Sequence, residues 1–528
     1  MNRREFLQLG LQASVAVAAG ACRGQEAALP AADGSIAHLL PTADHRRLVL
    51  KASFLEPHDQ PPVLSVNGLR VPGRRSDSRG LFFAFDADGL AADTEHELVL
   101  ETSAGRGLGE AWRLRTLPAP DARPARFRLL AYTCAGGPDP GLDPILRRCL
   151  IPIRARRRLL RRALAFAPDA VIANGDHVYW DLRSGARLVT GGSPLARFRG
   201  GVFDRALPVL GTPNEDVVRG AFGPQLAGLY GTLFRGTPSF FLQDDHDYTE
   251  NDNANQQLQT FPPDDFMLDV ARATQRLYYP ELIADASLPA GLQREDQLAE
   301  SFGTLRYGRL FEGLLFDCRR FLDASESGHF VPPEAEAWLT ARLRGSDAAH
   351  VAAVPSTPVM WSAGKWAEWY PDVLDQQGVL GTRRQKRYWS AGWLAQHDRL
   401  LVAAAANPGR RPLFIQGDLH AIALGEIRAT RSASLAHNPA LALLTGPVSS
   451  HDLFYPSSAR DQPAAVSSML EASEFVAPIE ENGFSLLDFD ASGVRISLFR
   501  WKPDDGEAAI DDLEPFHVQD FPVPVVAG

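Results

Sequence analysis

Ala170-Val171-Ile172-Ala173-Asn174-Gly175-Asp176-His177-Val178-Tyr179 passes from an unbroken apolar run into a glycine turn that carries an acid, a histidine and a tyrosine. A short apolar run bounded by such a turn reads as a fully buried strand. Two later segments repeat the design. Residues 239–243 run into Asp244-Asp245-His246-Asp247, and residues 412–416 run into Gly417-Asp418-Leu419-His420. Ligands at the carboxyl ends of parallel strands are how α/β proteins assemble hard-metal chemistry. One Gly-Asp pair is explained by turn chemistry or a helix N-cap; three acid-and-histidine clusters placed directly after strands are not.

Outward from these turns the chain keeps a rhythm of strand, turn and helix from Phe127 onward, as in a layered α/β sheet. Core strands are expected at 127–132, 170–173, 239–243, 313–317, 352–354, 412–416 and 441–444. Residues 333–344 read as a helix. Pro333 opens it, Ala335, Trp338, Leu339 and Leu343 recur at helical spacing, and Gly345 follows its end. Residues 484–489 and 494–499 flank Asp490-Ala491-Ser492-Gly493 and predict a hairpin. The arginines at 154, 156, 157, 158, 161 and 162 lie on a segment whose apolar face is Leu159, Leu160, Ala163, Leu164 and Phe166, which predicts a solvated outer helix.

Before Phe127 the pattern differs. Residues 38–118 alternate in short runs separated by Asn67-Gly68 and Pro72-Gly73 turns, the signature of a small β-sandwich. Pro118-Ala119-Pro120 marks a linker to a catalytic domain expected over 127–505, with a C-terminal tail at 506–528. The first 21 residues read as a Tat signal: Arg3-Arg4 with Phe6 and Leu7 behind them, then a short apolar run ending in Ala19-Gly20-Ala21. The expected location is therefore periplasmic or extracellular, with the Tat machinery as export partner. Residues 22–37 form a tether, and Cys22 directly after the cleavage site leaves a lipid anchor, hence membrane attachment, open.

Composition narrows the function further. The chain has 528 residues, more than one ordinary core accommodates, so several domains are expected. A formal charge of −10 argues against duplex nucleic acid as a partner, which requires a basic footprint. After Cys22 only Cys134, Cys149 and Cys318 remain, so no disulfide framework holds the fold.

A phosphoester repels anionic nucleophiles, and two metals about 3.5–4 Å apart relieve this by neutralising phosphate charge and acidifying a bound water. Asp176 suits the bridging position, because a carboxylate offers two oxygens and Gly175 permits close backbone approach. Tyr179 can return to the same site three residues later. Asp418 and His420, one residue apart on a tight turn, can reach different metals.

Tyr132-Thr133-Cys134, Gly175-Asp176-His177-Val178-Tyr179, Asp244-Asp245-His246-Asp247 with Asn251-Asp252, and Gly417-Asp418-Leu419-His420 together resemble the alkaline phosphatase D (PhoD-like) family in order and spacing across roughly residues 127–500. The resemblance implies a four-layer metallophosphoesterase core, α/β in class, behind the small β-sandwich. It implies Fe(III) held by Cys134, Asp176, Tyr179 and His420, and Ca2+ completed by Asn251 and Asp418. Thiolate, phenolate and imidazole suit ferric iron, and carboxylate and amide oxygens suit calcium. Asp244 or Asp245 could take the place of Asn251. His246 is expected to contact phosphate or protonate the leaving oxygen, oriented by Asp245 or Asp247, with the alternative that it only fixes the loop. Arg319 is a candidate phosphate clamp, against a plain ion pair. Residues 182–236 look like an insertion beside the cleft, and the aromatic stretch from Trp361 to Tyr370 either lines a pocket or packs a core. The expected activity is hydrolysis of small phosphomonoesters or phosphodiesters. The rivals are a catalytically silent binding protein on the same fold and an iron oxidoreductase, which no dinucleotide fingerprint supports.

Overall fold

A computed structural model describes residues 34–180, 194–248, 261–364, 368–369, 373–374, 380–381 and 390–524. The expected Tat signal, Cys22, most of the tether, Asn251, Asp252 and Tyr370 lie outside the described residues.

The N-terminal part is a sandwich of two four-stranded antiparallel sheets. One joins Ile36–Ala43, Leu48–Phe54, Phe82–Ala87 and Arg74–Arg75; the other joins Leu69–Pro72, Val63–Val66, Glu95–Glu101 and Trp112–Arg115. Alternation along Glu95–Glu101 buries His96, Leu98 and Leu100, and the two sheets close on Leu39, Leu48, Leu50, Leu64, Phe83 and Phe85. The first strand starts at Ile36, inside the stretch expected to be tether. The sandwich is sealed onto the rest of the chain by a buried ion pair, Lys51 Nζ to Glu281 at 2.9 Å.

Two large sheets follow. The first, of six strands, runs in the order Ser239–Leu242, Ala170–Asn174, Arg126–Tyr132, Asn482–Asp490, Gly493–Trp501 and His517–Pro522. Its first three strands are parallel. The second, of seven strands, is ordered Phe302–Tyr307, Phe311–Phe316, His350–Pro355, Leu413–Gln416, Ala440–Thr445, Ile422–Thr430 and Leu470–Ile479, with a parallel centre. The sheets face one another through Leu129, Ala131, Ile172 and Phe240 on one side and Leu315, Val354, Ile415 and Leu443 on the other. Because successive side chains alternate, Leu130, Val171 and Phe241 turn outward onto helices, as do Leu314, Ala353 and Phe414 on the far side. This is the layered α/β core that the strand pattern implied, with the four layers that the family resemblance implied.

Three expectations change. The residues expected to be a tail contribute the edge strand His517–Pro522, paired with Gly493–Trp501 in register from Leu498 to Gly493; its burial is light, which is why no apolar run announces it. The stretch expected to be an insertion supplies an 18-residue helix, Pro213–Tyr230, capped by Thr212. Its Val218, Phe222 and Leu226 belong to the core, so it is a structural layer. The arginine helix, Ile153–Leu164, is not wholly solvated. Arg156 is completely buried, and donates to the carbonyls of Ile151 (2.9 Å), Gly136 (2.7 Å) and Gly137 (2.6 Å). The aromatic stretch resolves toward packing: Trp361 and Trp369 are buried, with Trp369 against Phe330.

Removing Arg156 strands several carbonyls at once, so Arg156→Ala should lower unfolding stability by roughly 3 kcal/mol or more. Arg158, whose bond to Asp511 is on the surface, serves as the control, and Arg158→Ala should change it by less than about 1 kcal/mol. Urea unfolding midpoints of the two variants decide the point.

Candidate metal centre

The turns singled out in the sequence meet where the carboxyl ends of the two sheets converge. Asn174 ties the sheets together there, donating from Nδ2 to the Pro355 carbonyl at 3.0 Å. Thr133 Oγ1 donates to the Asn174 carbonyl at 2.6 Å. Gly417 lies against both, since a Cβ at that position would stand 2.4 Å from Thr133 Oγ1 and 2.6 Å from the Asn174 oxygen. Only glycine lets the third turn come this close.

Three overlapping groups of donors result. Cys134, Asp176 and His420 form one, Asp176, Asp245 and His246 a second, and Asp244, Asp245 and Asp418 a third; within each, one ligand atom per residue lies within 4.8 Å of the others. Tyr179 joins the first: its hydroxyl donates to Asp176 Oδ2 at 2.9 Å and lies 3.3 Å from His420 Nε2. Cys134 Sγ is 3.4 Å from the same Asp176 oxygen. Asp176 is common to two groups, the arrangement a bridging carboxylate needs. All these side chains are buried; His246, at 9%, and His420, at 7%, are the most accessible and mark the open side. The His246 ring lies 4.3 Å from that of Tyr179.

The backbone at these residues is unusual. Cys134 (φ 49°), Asp176 (58°), Asp418 (72°) and His420 (51°) are all left-handed. For residues other than glycine this conformation costs about 1–3 kcal/mol each and persists only where surrounding structure enforces it. The enforcing bonds are visible. Asp247 accepts from the backbone N–H groups of Asp176 (2.9 Å), His177 (2.8 Å) and Asp244 (2.9 Å), locking the first and second turns together. Gln225, from the Pro213–Tyr230 helix, accepts from the N–H of Tyr179 and of Gly137, each at 2.7 Å. Ser450 Oγ lies 2.6 Å from His420 Nδ1, leaving Nε2 toward the donor cluster.

Electrostatics favours a cation here. Burial pushes the Cys134 thiol well above its ordinary value, and the Asp176 charge adds to this. The Tyr179 phenol is raised for the same two reasons. Burial also lifts the Asp244 carboxyl well above the carboxylate range, Arg319 opposing the shift and Asp418 reinforcing it. Donors of this kind release their protons next to a metal ion, whose charge replaces the lost hydration. A thiol, a phenol, a carboxylate and an imidazole around one point, beside a group of carboxylates, fit metal binding.

Several sequence expectations are revised by this geometry. Arg319 is fully buried and binds Asp244 Oδ1 at 2.6 Å and Asp418 Oδ2 at 3.1 Å, the ion pairing weighed against the phosphate clamp, and so holds donor carboxylates in place. Asp245, expected either to orient His246 or to take the place of Asn251, belongs to two donor groups. Asp247 serves backbone amides. His177 is a buried framework residue bonded to the Leu242 carbonyl at 2.9 Å. Gln225 and Ser450 were missed, because a glutamine in a helix and a serine after a strand carry no signal of their own.

Fold and donor set together define the chain as a metal-dependent phosphoester hydrolase. It belongs to the PhoD-like phosphatase family, whose profile matches residues 229–498. A solved structure described as "Structure of PhoD" is 14% identical, with a TM-score of 0.57 over 89% of this chain and 87% of the other. Purple acid phosphatase PPD1 from yellow lupin (Lupinus luteus) seeds is 11% identical, with a TM-score of 0.53 over 91% of this chain and 73% of the other. At these identities the likeness is one of fold. No curated protein matches the chain.

Ser450→Ala removes the group that orients His420 and should weaken metal affinity by about 10–100-fold while leaving the fold intact. Competition against a chromophoric chelator measures it.

Proposed function

We propose that this phosphoesterase uses a dinuclear centre, with Fe(III) in the pocket of Cys134, Asp176, Tyr179 and His420 and Ca2+ beside it among carboxylates. The observation that carries the reading is the sharing of Asp176 between two donor groups that otherwise differ in chemistry. The first offers sulfur, phenol and imidazole, which suit a strongly Lewis-acidic ion; the second adds Asp245 and His246, and Asp245 is shared in turn with the carboxylates of Asp244 and Asp418, which suit calcium. Asp245 and Asp418 are the described candidates for calcium, and Asn251 lies outside the described residues. When bound, the metals would neutralise phosphate charge and lower the pKa of a coordinated water.

The chain's own groups supply the remaining requirements. Asp176 would be the carboxylate common to both metal pockets. Arg319 keeps Asp244 and Asp418 from repelling each other. His246, on the open side and packed on Tyr179, is positioned to meet the substrate and to protonate the departing alkoxide oxygen. Monoesters and diesters of small alcohols use the same machinery, so both are expected substrates. Export through the Tat system, to the periplasm or beyond with Cys22 as an optional anchor, agrees with a chain whose metals are loaded during cytoplasmic folding. No described helix is long and apolar enough to cross a membrane.

Metal analysis, a visible spectrum, and assays with p-nitrophenyl phosphate and bis-p-nitrophenyl phosphate test the proposal on one sample. The expected result is iron with calcium and a phenolate-to-iron absorption band that disappears in Tyr179→Phe. Hydrolysis should fall to background in Asp176→Asn, with loss of bound metal. A fully metallated protein that turns over neither ester would instead establish the silent binding protein.

A further inference from the structure

The strand Ala440–Thr445 is followed by Gly446-Pro447-Val448-Ser449-Ser450-His451-Asp452-Leu453-Phe454-Tyr455. Connecting segments of this kind run over the surface and carry function more often than packing. This one ends in two large apolar side chains, Leu453 and Phe454, that the core does not absorb. Both stay partly buried, packed with Ile145 around Cys149, Leu150 and Tyr179.

Phe454 borders the donor cluster directly. Its ring centre lies 5.0 Å from that of His420 at an interplanar angle of 81°, and 5.1 Å from that of Tyr179 at 65°, edge-to-face in both cases. The Tyr179 ring is in turn 4.3 Å from His246. The rings of His246, Tyr179, His420 and Phe454 therefore form one border around the donors. Tyr179 is fully covered, whereas Phe454 keeps accessible surface beside His420, one of the two histidines that mark the open side. A ring needed only as backing for the ligands would be covered as Tyr179 is. Phe454 has no atom that binds a metal or moves a proton, so its accessible face is suited to an apolar contact.

That face is held still. The backbone N–H groups of Val448 and Ser449 donate to the carbonyls of Thr133 (3.2 Å) and Cys134 (3.1 Å), and that of His451 donates to the Cys149 carbonyl at 2.9 Å. Asn482 accepts from the Ser450 N–H at 2.8 Å and donates to the Ser450 carbonyl at 2.7 Å. Asp452 pairs with Arg148 at 2.6 Å, and the Phe454 N–H closes the turn on the His451 carbonyl at 2.7 Å. The same strands and turns that fix Cys134 and His420 thus fix the ring, the kind of support that a preformed binding wall requires.

An ester with its phosphorus at the metals begins its organic group one bond beyond the scissile oxygen. That group leaves the cluster on its open side, past the rings that border it. Aromatic rings attract one another edge-to-face or offset at centroid distances of about 4.5–7 Å, beyond what burial alone supplies. We propose that Phe454, with Leu453 beside it, is a specificity-determining residue that receives an aromatic group on the alcohol portion of the phosphoester. This rests on the phosphoesterase reading above and specifies the substrate class as esters of aryl and arylmethyl alcohols.

The test uses the metal-loaded protein and two variants. Phe454→Leu keeps apolar bulk against His420 and Tyr179 but removes the flat ring, and Phe454→Tyr keeps the ring; thermal midpoint and metal content are measured first. Benzylphosphonate and methylphosphonate, which bind without turnover, are titrated by calorimetry. Benzyl phosphate and ethyl phosphate, whose leaving alkoxides are alike, are compared as substrates. The unmodified protein should bind benzylphosphonate about tenfold or more tighter than methylphosphonate. That preference should shrink by about fivefold in Phe454→Leu and survive in Phe454→Tyr. The change should appear in KM for benzyl phosphate, with kcat and orthophosphate inhibition unaltered. Equal affinity of the unmodified protein for the two phosphonates overturns the proposal, and that result needs no variant. So does an equal weakening of both phosphonates in Phe454→Leu together with loss of bound metal, which makes the ring packing for its ligands. If the phosphonate preference follows the ring while no protein hydrolyses either ester, the phosphoesterase reading fails and Phe454 stands as the wall of an aryl phosphate binding site.

Discussion

A carboxylate removed from water must have its charge met from within the protein, and this fold removes four of them, Asp176, Asp244, Asp245 and Asp418, to one place. The single guanidinium of Arg319 answers two of them. The thiol of Cys134 and the phenol of Tyr179 crowd the same space and become anionic only beside a cation. An arrangement so acidic is a poor way to stabilise a core and a good way to hold metal ions. Its position follows from the architecture: parallel strands from two facing sheets end together, and the turns that leave them have nowhere to go but toward each other.

Holding that cluster in shape occupies much of the surrounding structure. Four of the donor residues sit in left-handed backbone that their side chains disfavour. The Asp247 carboxylate, the Gln225 amide and the buried Arg156 guanidinium pin the turns by their N–H and C=O groups. These three come from a short turn, the Pro213–Tyr230 helix and the Ile153–Leu164 helix. The helices that cover the first sheet therefore do more than bury its outer face; they deliver polar groups to the loops that carry the donors. Strain at the centre is balanced by hydrogen bonds anchored in rigid elements.

A fold shared with a purple acid phosphatase at 11% identity fits the same logic. Facing sheets whose parallel strands end at one seam offer a set of turns, and what those turns carry decides the chemistry. Here they carry sulfur, phenol and imidazole on one side of Asp176 and carboxylates on the other.

Much of this was legible in the residues. Apolar runs bounded by turns placed the strands Arg126–Tyr132, Ala170–Asn174, Leu413–Gln416 and Ala440–Thr445 to within two residues, because a strand buried on both faces must be apolar throughout. The Pro333–Gly345 helix was equally clear, for its proline start and its spacing are local properties. The edge strand His517–Pro522 was not, since its half-exposed residues look like a tail until the neighbouring strand is seen. Nor was the burial of Arg156, as nothing in an arginine-rich segment tells which one faces inward.

By itself, then, the sequence determined the strand-and-turn segments, the donor types they carry and the family they resemble, since each depends on residues close together in the chain. Only the tertiary structure decided that Arg319 binds Asp244 and Asp418, that Asp245 stands among the donors, and that Gln225 and Ser450 hold Tyr179 and His420. Those pairings join residues 30 to 99 positions apart. Their partners are selected by how the two sheets and the covering helices pack, which no local pattern encodes.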